Sequence, residues 1–409
     1  MLFSNALALG VVQAVNYLFP LITVPYLVHT LGVESFGLLG FATAIVTYFS
    51  LVSDYGFNIS ATRRVAKHRG DRFAVSHIFS TVMSIKTILL CLSFCVLFGA
   101  TFFFDKLAEH QALYLLTFGV VAGQVLFPLW LFLGMEEMRY IPMINAASKT
   151  LFTASIFLLV SDEQDILWVP LLASVEAILA GSFALYFAMG KFNFSFVMPC
   201  IADIRAYLHD GWHVFISSLG INAYKTNAVL LLGVFSSNLV VGYFVIAKKL
   251  YDALGGVNSI IHQVFLPYIS RVQGGSTAIT PEIRKLFKIC LLSSSLLLVF
   301  TIIFADEAVK FVAGEYIVES IYALYFFAFA LFAVGINIPA AIYLLQSHHD
   351  KVYSKAILWG ALLDVTLLLL LIPWYGIYGA LVTVVCTEVC ITVLLYVHAY
   401  GVYRHEKIS

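Results

Sequence analysis

Five lysines fall inside long apolar runs of this chain: Lys86, Lys149, Lys225, Lys248 and Lys249. Each charged side chain costs about 2.5–3.5 kcal/mol at the centre of a membrane helix, so lipid-facing placement of all five is untenable. They must meet protein, water or a substrate. Lys86 and Lys149 lie toward one end of their runs, where snorkelling to the interface competes with a functional role. Carboxylates share the same runs: Asp54, Glu176, Asp210, Asp252, Asp364 and Glu388. Lys248 and Asp252 stand four residues apart, the spacing of a helical ion pair, whereas Lys249 points about 100° away around the helix. Lys225 shares its turn with Asn222 and Thr226, and the first run carries Gln13, Asn16, Pro20 and Thr23 at helical spacing.

Two polar faces at equivalent places predict a hydrophilic lumen with cations on one wall. Such a wall suits an anion, and a phosphate above all, because lysine is an effective point-charge phosphate binder. Asp364 and Glu388 stand mid-run, where a carboxylate can carry a coupling proton or hold Na⁺; an interhelical hydrogen bond is the competing role. Glu176 joins them as a candidate coupling group. Asp54, near a run end, is expected to do the same, to cap its helix, or to pair with Arg63 or Arg64. His209 and His213 are four apart, but no third ligand accompanies them, so no metal site is expected. No Walker A, GxSxG or HExxH sequence is present, which argues against ATP hydrolysis and familiar hydrolytic chemistry, and no cofactor is expected.

These residues need elements to hold them. Of 409 residues, 61% are hydrophobic and 11% charged, with a mean hydropathy of +0.95. Soluble domains run at about 45–50% apolar and about 25% charged, so a soluble chain is excluded, and disorder with it. Apolar runs lie near 7–29, 36–58, 78–104, 111–134, 143–161, 166–189, 209–234, 238–268, 286–305, 320–345, 353–373 and 377–402. Crossing the hydrocarbon takes about 20 residues, which predicts twelve transmembrane helices in an all-α integral membrane protein. The opening MLFSNAL lacks a basic segment, so no cleavable signal is expected. With the N-terminus inside, sixteen lysines and arginines fall in cytoplasmic segments and two, Lys106 and Lys310, outside. That asymmetry predicts N- and C-termini in the cytoplasm. The connections near 62–77, 190–208 and 270–285 are all cytoplasmic, and no outer loop could hold a catalytic domain. Zero net charge gives no sign of a nucleic-acid partner. The six cysteines mostly lie in apolar runs and read as packing residues.

The runs also repeat at an offset of about 205, with Phe36–Ala42 aligning on Val241–Ala247. Six helices per half is an even number, so the repeat is parallel, about an axis along the membrane normal. Two six-helix lobes are expected, residues 1–205 and 206–409.

The segment Phe19-Pro20-Leu21-Ile22-Thr23-Val24-Pro25-Tyr26-Leu27-Val28-His29-Thr30-Leu31-Gly32, then Ser35-Phe36-Gly37, then Asp54-Tyr55-Gly56-Phe57-Asn58-Ile59-Ser60-Ala61-Thr62-Arg63-Arg64-Val65-Ala66, resembles the Wzx-type O-antigen flippases of the multidrug/oligosaccharidyl-lipid/polysaccharide exporter superfamily. The motif spans about fifty residues; the twelve-span, two-lobe layout is common to the whole superfamily. His29 stands where relatives often carry arginine, which makes the charge there pH-dependent. The basic residues many relatives carry before the first span are missing. The resemblance implies a Gram-negative inner-membrane flippase for undecaprenyl-pyrophosphate-linked oligosaccharide. Membrane lipids surround it, and a polysaccharide polymerase and chain-length regulator are possible partners. Phosphate and sugar contacts would then come from Lys225, Lys249, Lys248, Asn222, Asn16, Tyr17, Lys86, Lys149, Arg63 and Arg64, with H⁺ or Na⁺ coupling at Asp364, Glu388, Glu176 and Asp54. A drug/cation antiporter of the same superfamily is the nearest alternative and would favour acidic, aromatic walls. A peptidoglycan-precursor flippase typically has fourteen spans, and a membrane-embedded polymerase or ligase would show a large outer loop.

Overall fold

A computed structural model describes residues 2–192, 194–273, 280–347 and 349–408. The side chains of residues 2–18, 221, 223–225, 267, 270–273, 280 and 405–408 lie outside the description. Among the described residues there are helices and no strands. In chain order they are α1 (Leu2–Asp54), α2 (Phe57–Lys67), α3 (Arg72–Phe103), α4 (Asp105–Glu109), α5 (Gln111–Leu126), α6 (Leu129–Gly134) and α7 (Tyr140–Leu159). After a 3₁₀ turn at Glu163–Leu167 follow α8 (Trp168–Phe192), α9 (Ile201–Phe235), α10 (Asn238–Gln273), α11 (Thr280–Ala313), α12 (Val318–Gln346), α13 (Asp350–Tyr375) and α14 (Ile377–Ile408).

Nine helices among the described residues are long and apolar enough to cross a membrane, so the chain is a multi-pass membrane protein. One of the nine, Phe19–Lys67, joins α1 to α2 over 49 residues, more than twice the ~20 that a crossing needs, and the chain turns within it at Gly32 (φ 79°) and again at Tyr55 and Gly56. The twelve apolar runs all fall on helices. α9 and α10, which carry the runs 209–234 and 238–268, are not among the nine. In α10, Lys248, Lys249 and Asp252 interrupt the apolar stretch, and in α9 the apolar helix found among the described residues is the short stretch Thr226–Phe235. Helix also reaches into segments expected as loops: α2 ends at Lys67 and α9 starts at Ile201.

Residues 39–223 pack as one compact unit, and residues 1–38 with 224–409 as another. These packing units differ in extent from the sequence halves 1–205 and 206–409. In the first unit, Phe57 and Val65 of α2, Phe79, Val82 and Ile85 of α3, and Trp130, Leu131 and Phe132 of α6 form one buried cluster. α5 and α8 approach through small residues, as membrane helices do when packing rather than water expulsion holds them. A Cβ at Gly123 would collide with Ala177, and one at Gly181 with the Gly123 carbonyl. The Ser174 hydroxyl donates to the Leu116 carbonyl across the same seam. α3 opens on Asp71, whose carboxylate accepts from Phe73 N and Ala74 N, both at 3.0 Å. Losing such a cap leaves two N–H groups without partners. Asp71→Ala is therefore expected to cost about 1 kcal/mol, read as a lower Tm in detergent; an unchanged Tm refutes it.

In the second unit α12 is the most enclosed helix, and side chains of its neighbours bond to its backbone. Asn258 Nδ2 donates to the Leu331 carbonyl at 3.2 Å, Thr392 Oγ1 to Ala333 at 3.2 Å and the Tyr396 hydroxyl to Ile336 at 2.8 Å. Gly37 of α1 and Gly242 of α10 meet backbone to backbone. A Cβ at Gly37 would overlap the Asn238 carbonyl and Gly242 itself, and one at Gly242 would overlap the Val33 carbonyl.

Candidate functional site

Of the expected site residues, Asp54, Lys86, Glu176, Lys248, Lys249, Asp364 and Glu388 line cavities inside the units. In residues 39–223 a 540 Å³ cavity is lined by Asp54, Lys86, Glu176, Asn58, Gln124 and Asn145, among others. The chain breaks directly after Asp54. Tyr55 (φ 48°) and Gly56 (φ 74°) both take left-handed backbone, and the Tyr55 ring stacks on Phe215 with centroids 4.8 Å apart. Only glycine adopts that region without strain, so Tyr55 is held there by its surroundings. Lys86 donates to Asp54 Oδ1 at 3.1 Å.

Two expectations need correction here. Lys86 is 2% exposed, so it does not snorkel; it lies on the face of α3 that also buries Val82 and Ile85, where its ammonium is neutralised by Asp54. Asp54 takes Lys86 as its partner rather than Arg63 or Arg64. Arg64 instead bonds Asp210 and lies 4.1 Å over the Tyr207 ring, while Arg63 is exposed. Lys149 lies outside the cavity wall but close enough to Glu176 for the two charges to interact. In the last turn of α8, Lys191 sits 2.6 Å from Glu137 and holds that carboxyl below its ordinary range.

In the other unit Lys248 pairs with Asp252 at 2.9 and 3.0 Å, as the four-residue spacing predicts. Both line a 380 Å³ cavity together with Asp364, Glu388, Tyr251 and Ser259. Asp364 is 1% and Glu388 2% exposed, and Asn227 Nδ2 donates to Asp364 Oδ2 at 3.4 Å. Lys249 faces a separate 130 Å³ cavity with Pro20, Pro25 and Asp252 and is exposed. His29, Glu307 and Lys310 line a further one of 540 Å³. Asn222 donates to the Ser218 carbonyl of its own helix at 2.8 Å. The side chains of Asn16, Tyr17 and Lys225 lie outside the described residues.

Sequence reasoning missed the amides Asn58, Gln124, Asn145 and Asn227. Gln124 and Asn145 did leave a signal, since each is an isolated amide in or beside an apolar run. Carboxylates paired with lysines, Asp54 with Lys86 and Asp252 with Lys248, line cavities and can bind ions and polar groups and exchange partners. They carry no nucleophile–base arrangement.

Comparison with known proteins points the same way. Residues 2–273 match the family model described as polysaccharide biosynthesis protein. The chain is 30% identical over 398 residues to a protein of Escherichia coli (strain K12) named "Putative O-antigen transporter", covering 96% of this chain and 95% of that one. A protein of Shigella dysenteriae with the same name is 25% identical over 400 residues, covering 96% of this chain and 98% of that one. Among solved structures the fold matches the lipid II flippase MurJ in an inward closed conformation with a TM-score of 0.80 at 13% identity, over 95% of this chain and 86% of that one. It matches an inward-facing multidrug resistance MATE family transporter with a TM-score of 0.67 at 12% identity, over 96% of each chain. The likeness in fold covers nearly the whole chain and the match in sequence extends across both units, so the chain belongs to the polysaccharide biosynthesis protein family.

Proposed function

We propose that this protein is a flippase that moves undecaprenyl-pyrophosphate-linked oligosaccharide from the cytoplasmic to the periplasmic leaflet by alternating access, and not an enzyme. The observation that carries this reading is Lys249, a cation of an apolar helix left open to a cavity. Bare pyrophosphate in hydrocarbon costs tens of kcal/mol, so unaided crossing is negligible. Lys249 and Lys225 would replace water around the phosphates, while amides and hydroxyls, including Asn16, Tyr17 and Asn222, take the sugars. The lipid tail stays in the bilayer. The reading includes twelve spans in two six-helix lobes related by a parallel pseudo-two-fold, in a Gram-negative inner membrane with both termini cytoplasmic. Rocking of the lobes exposes the site to each side in turn. An inside-negative potential favours outward movement of an anion by about 2.3 kcal/mol per charge per 100 mV. Asp364 and Glu388 fit H⁺ or Na⁺ coupling, being carboxylates that share a cavity with Lys248. A polymerase and a chain-length regulator are the proposed partners downstream.

The likeness to a MATE transporter supports one other reading, a drug/cation antiporter. The two separate on deletion of the gene in its host. Loss of long surface polysaccharide with single lipid-linked repeat units held on the cytoplasmic side supports flipping. Normal polysaccharide in a strain with no second flippase overturns it. In the complemented strain, Lys249→Ala and Lys225→Ala are each expected to cut export at least tenfold, and intact export in both removes the lysine assignment.

A further inference from the structure

The cavity of residues 39–223 has properties that a phosphate or ion site does not need. Its volume is 540 Å³, within the roughly 300–1,000 Å³ of sites that take small organic ligands and far more than one ion fills. Its wall offers one ammonium, Lys86, against two carboxylates, Asp54 and Glu176, and Lys149 behind the wall interacts with Glu176, so the cavity holds no surplus of positive charge to attract an anion. Its floor holds hydrogen-bonding atoms left without partners. Ser53 is 1% exposed, and its Oγ, together with Ser50 Oγ and Asn58 Oδ1, has no partner among the described residues. Buried polar atoms without partners are costly, and a small rotation of these side chains toward the cavity would pair them with a ligand that brings donors and acceptors. Lys86 has two further N–H groups beyond the one on Asp54. Gln124 and Asn145 lie exposed on the wall, each offering an amide that donates and accepts, and Phe127 adds an aromatic surface.

We propose that this cavity is a saccharide subsite that takes neutral or N-acetylated sugar units and rejects acidic ones. Sugar hydroxyls donate and accept at once, matching amides and serine hydroxyls, and two neighbouring hydroxyls can donate to both oxygens of a carboxylate, which would repel the carboxylate of an acidic sugar. The apolar face of a pyranose ring suits Phe127. The inference rests on the flippase reading and deepens it: the lysines of α9 and α10 hold the phosphates, and this cavity selects the sugars.

The test uses the full-length protein in lipid nanodiscs, with thermal unfolding measured against N,N′-diacetylchitobiose, maltose and lactose. Digalacturonate is the acidic probe, and sodium chloride against choline chloride is the ionic one. A neutral or N-acetylated disaccharide is expected to raise Tm by a few degrees through preferential binding to the folded state, with no rise from digalacturonate. Gln124→Leu with Asn145→Leu, both at exposed positions, is expected to keep the unliganded Tm and abolish the rise. No shift with any disaccharide means a cavity that holds water only and overturns the proposal. So does a Na⁺-specific shift that disappears in Asp54→Asn, or a saccharide shift that survives the double substitution. Export assays on the same variants separate the two ideas. Intact export without saccharide binding removes the subsite alone, whereas saccharide binding by a protein whose deletion leaves surface polysaccharide normal removes the flippase reading alone.

Discussion

Valine in place of Gly37 or Gly242 is expected to abolish recovery of folded protein. At both positions the first atom of any side chain would coincide with backbone of the facing helix, not with a movable side-chain tip. Overpacking that flexible neighbours absorb costs about 1–3 kcal/mol; here α1 and α10 must separate along their whole contact. That loss takes a large share of the about 5–15 kcal/mol that holds a typical domain. The controls are glycines with empty surroundings. Nothing lies within 4 Å of a Cβ built at Gly70 or Gly99. Gly99 is inside α3, where alanine is favoured by about 0.5–1 kcal/mol. Gly99→Ala should therefore purify as well as the parent with an equal or higher Tm. Monodisperse Gly37→Val protein with an unshifted Tm would contradict the packing described.

Removing the ammonium of Lys86 is expected to be the most damaging charge substitution. Its side chain is 3% exposed and that of Asp54 26%, so Lys86→Met leaves a carboxylate facing a cavity wall without its cation. Breaking a buried pair from one side costs about 3–5 kcal/mol, and the partial access of Asp54 to water places this case near the lower end. Asp54→Asn in the same chain should recover most of it, because a neutral amide demands no counter-charge. A double-mutant cycle on unfolding free energies is expected to give a coupling above about 1 kcal/mol. Strict additivity would mean that the two groups do not act as a pair.

Much of the architecture could be read from composition and run length. Every apolar run falls on helix because about 20 uninterrupted apolar residues have few other stable states in a bilayer. The ion pair of Lys248 and Asp252 was legible for an equally local reason, since helix geometry alone sets a four-residue spacing. Partners far apart in sequence were not legible. Lys86 finds Asp54, and Arg64 finds Asp210, through the turn at Tyr55–Gly56 and the packing of α2, neither of which leaves a periodic trace. The single apolar run 111–134 becomes two helices, α5 and α6, around Pro128, whose missing N–H breaks the ladder. The amides of the cavity were missed because one polar residue in an apolar run is ambiguous until its neighbours from other helices are in place.

Positions 37 and 242 are 205 residues apart, so under the proposed two-lobe repeat the two glycines would occupy the same place in each half. In an ancestor with a single half, assembled as a symmetric pair, that residue would lie on the dyad and meet its own copy. One substitution there would strike both sides of the contact together. Joining two copies in one chain lets each position mutate alone, yet neither gains latitude, because the room each would need is occupied by the backbone of the other. Such a site stays glycine in both halves while the side chains around it diverge, and it is where a comparison of the two halves should find identity last to fade.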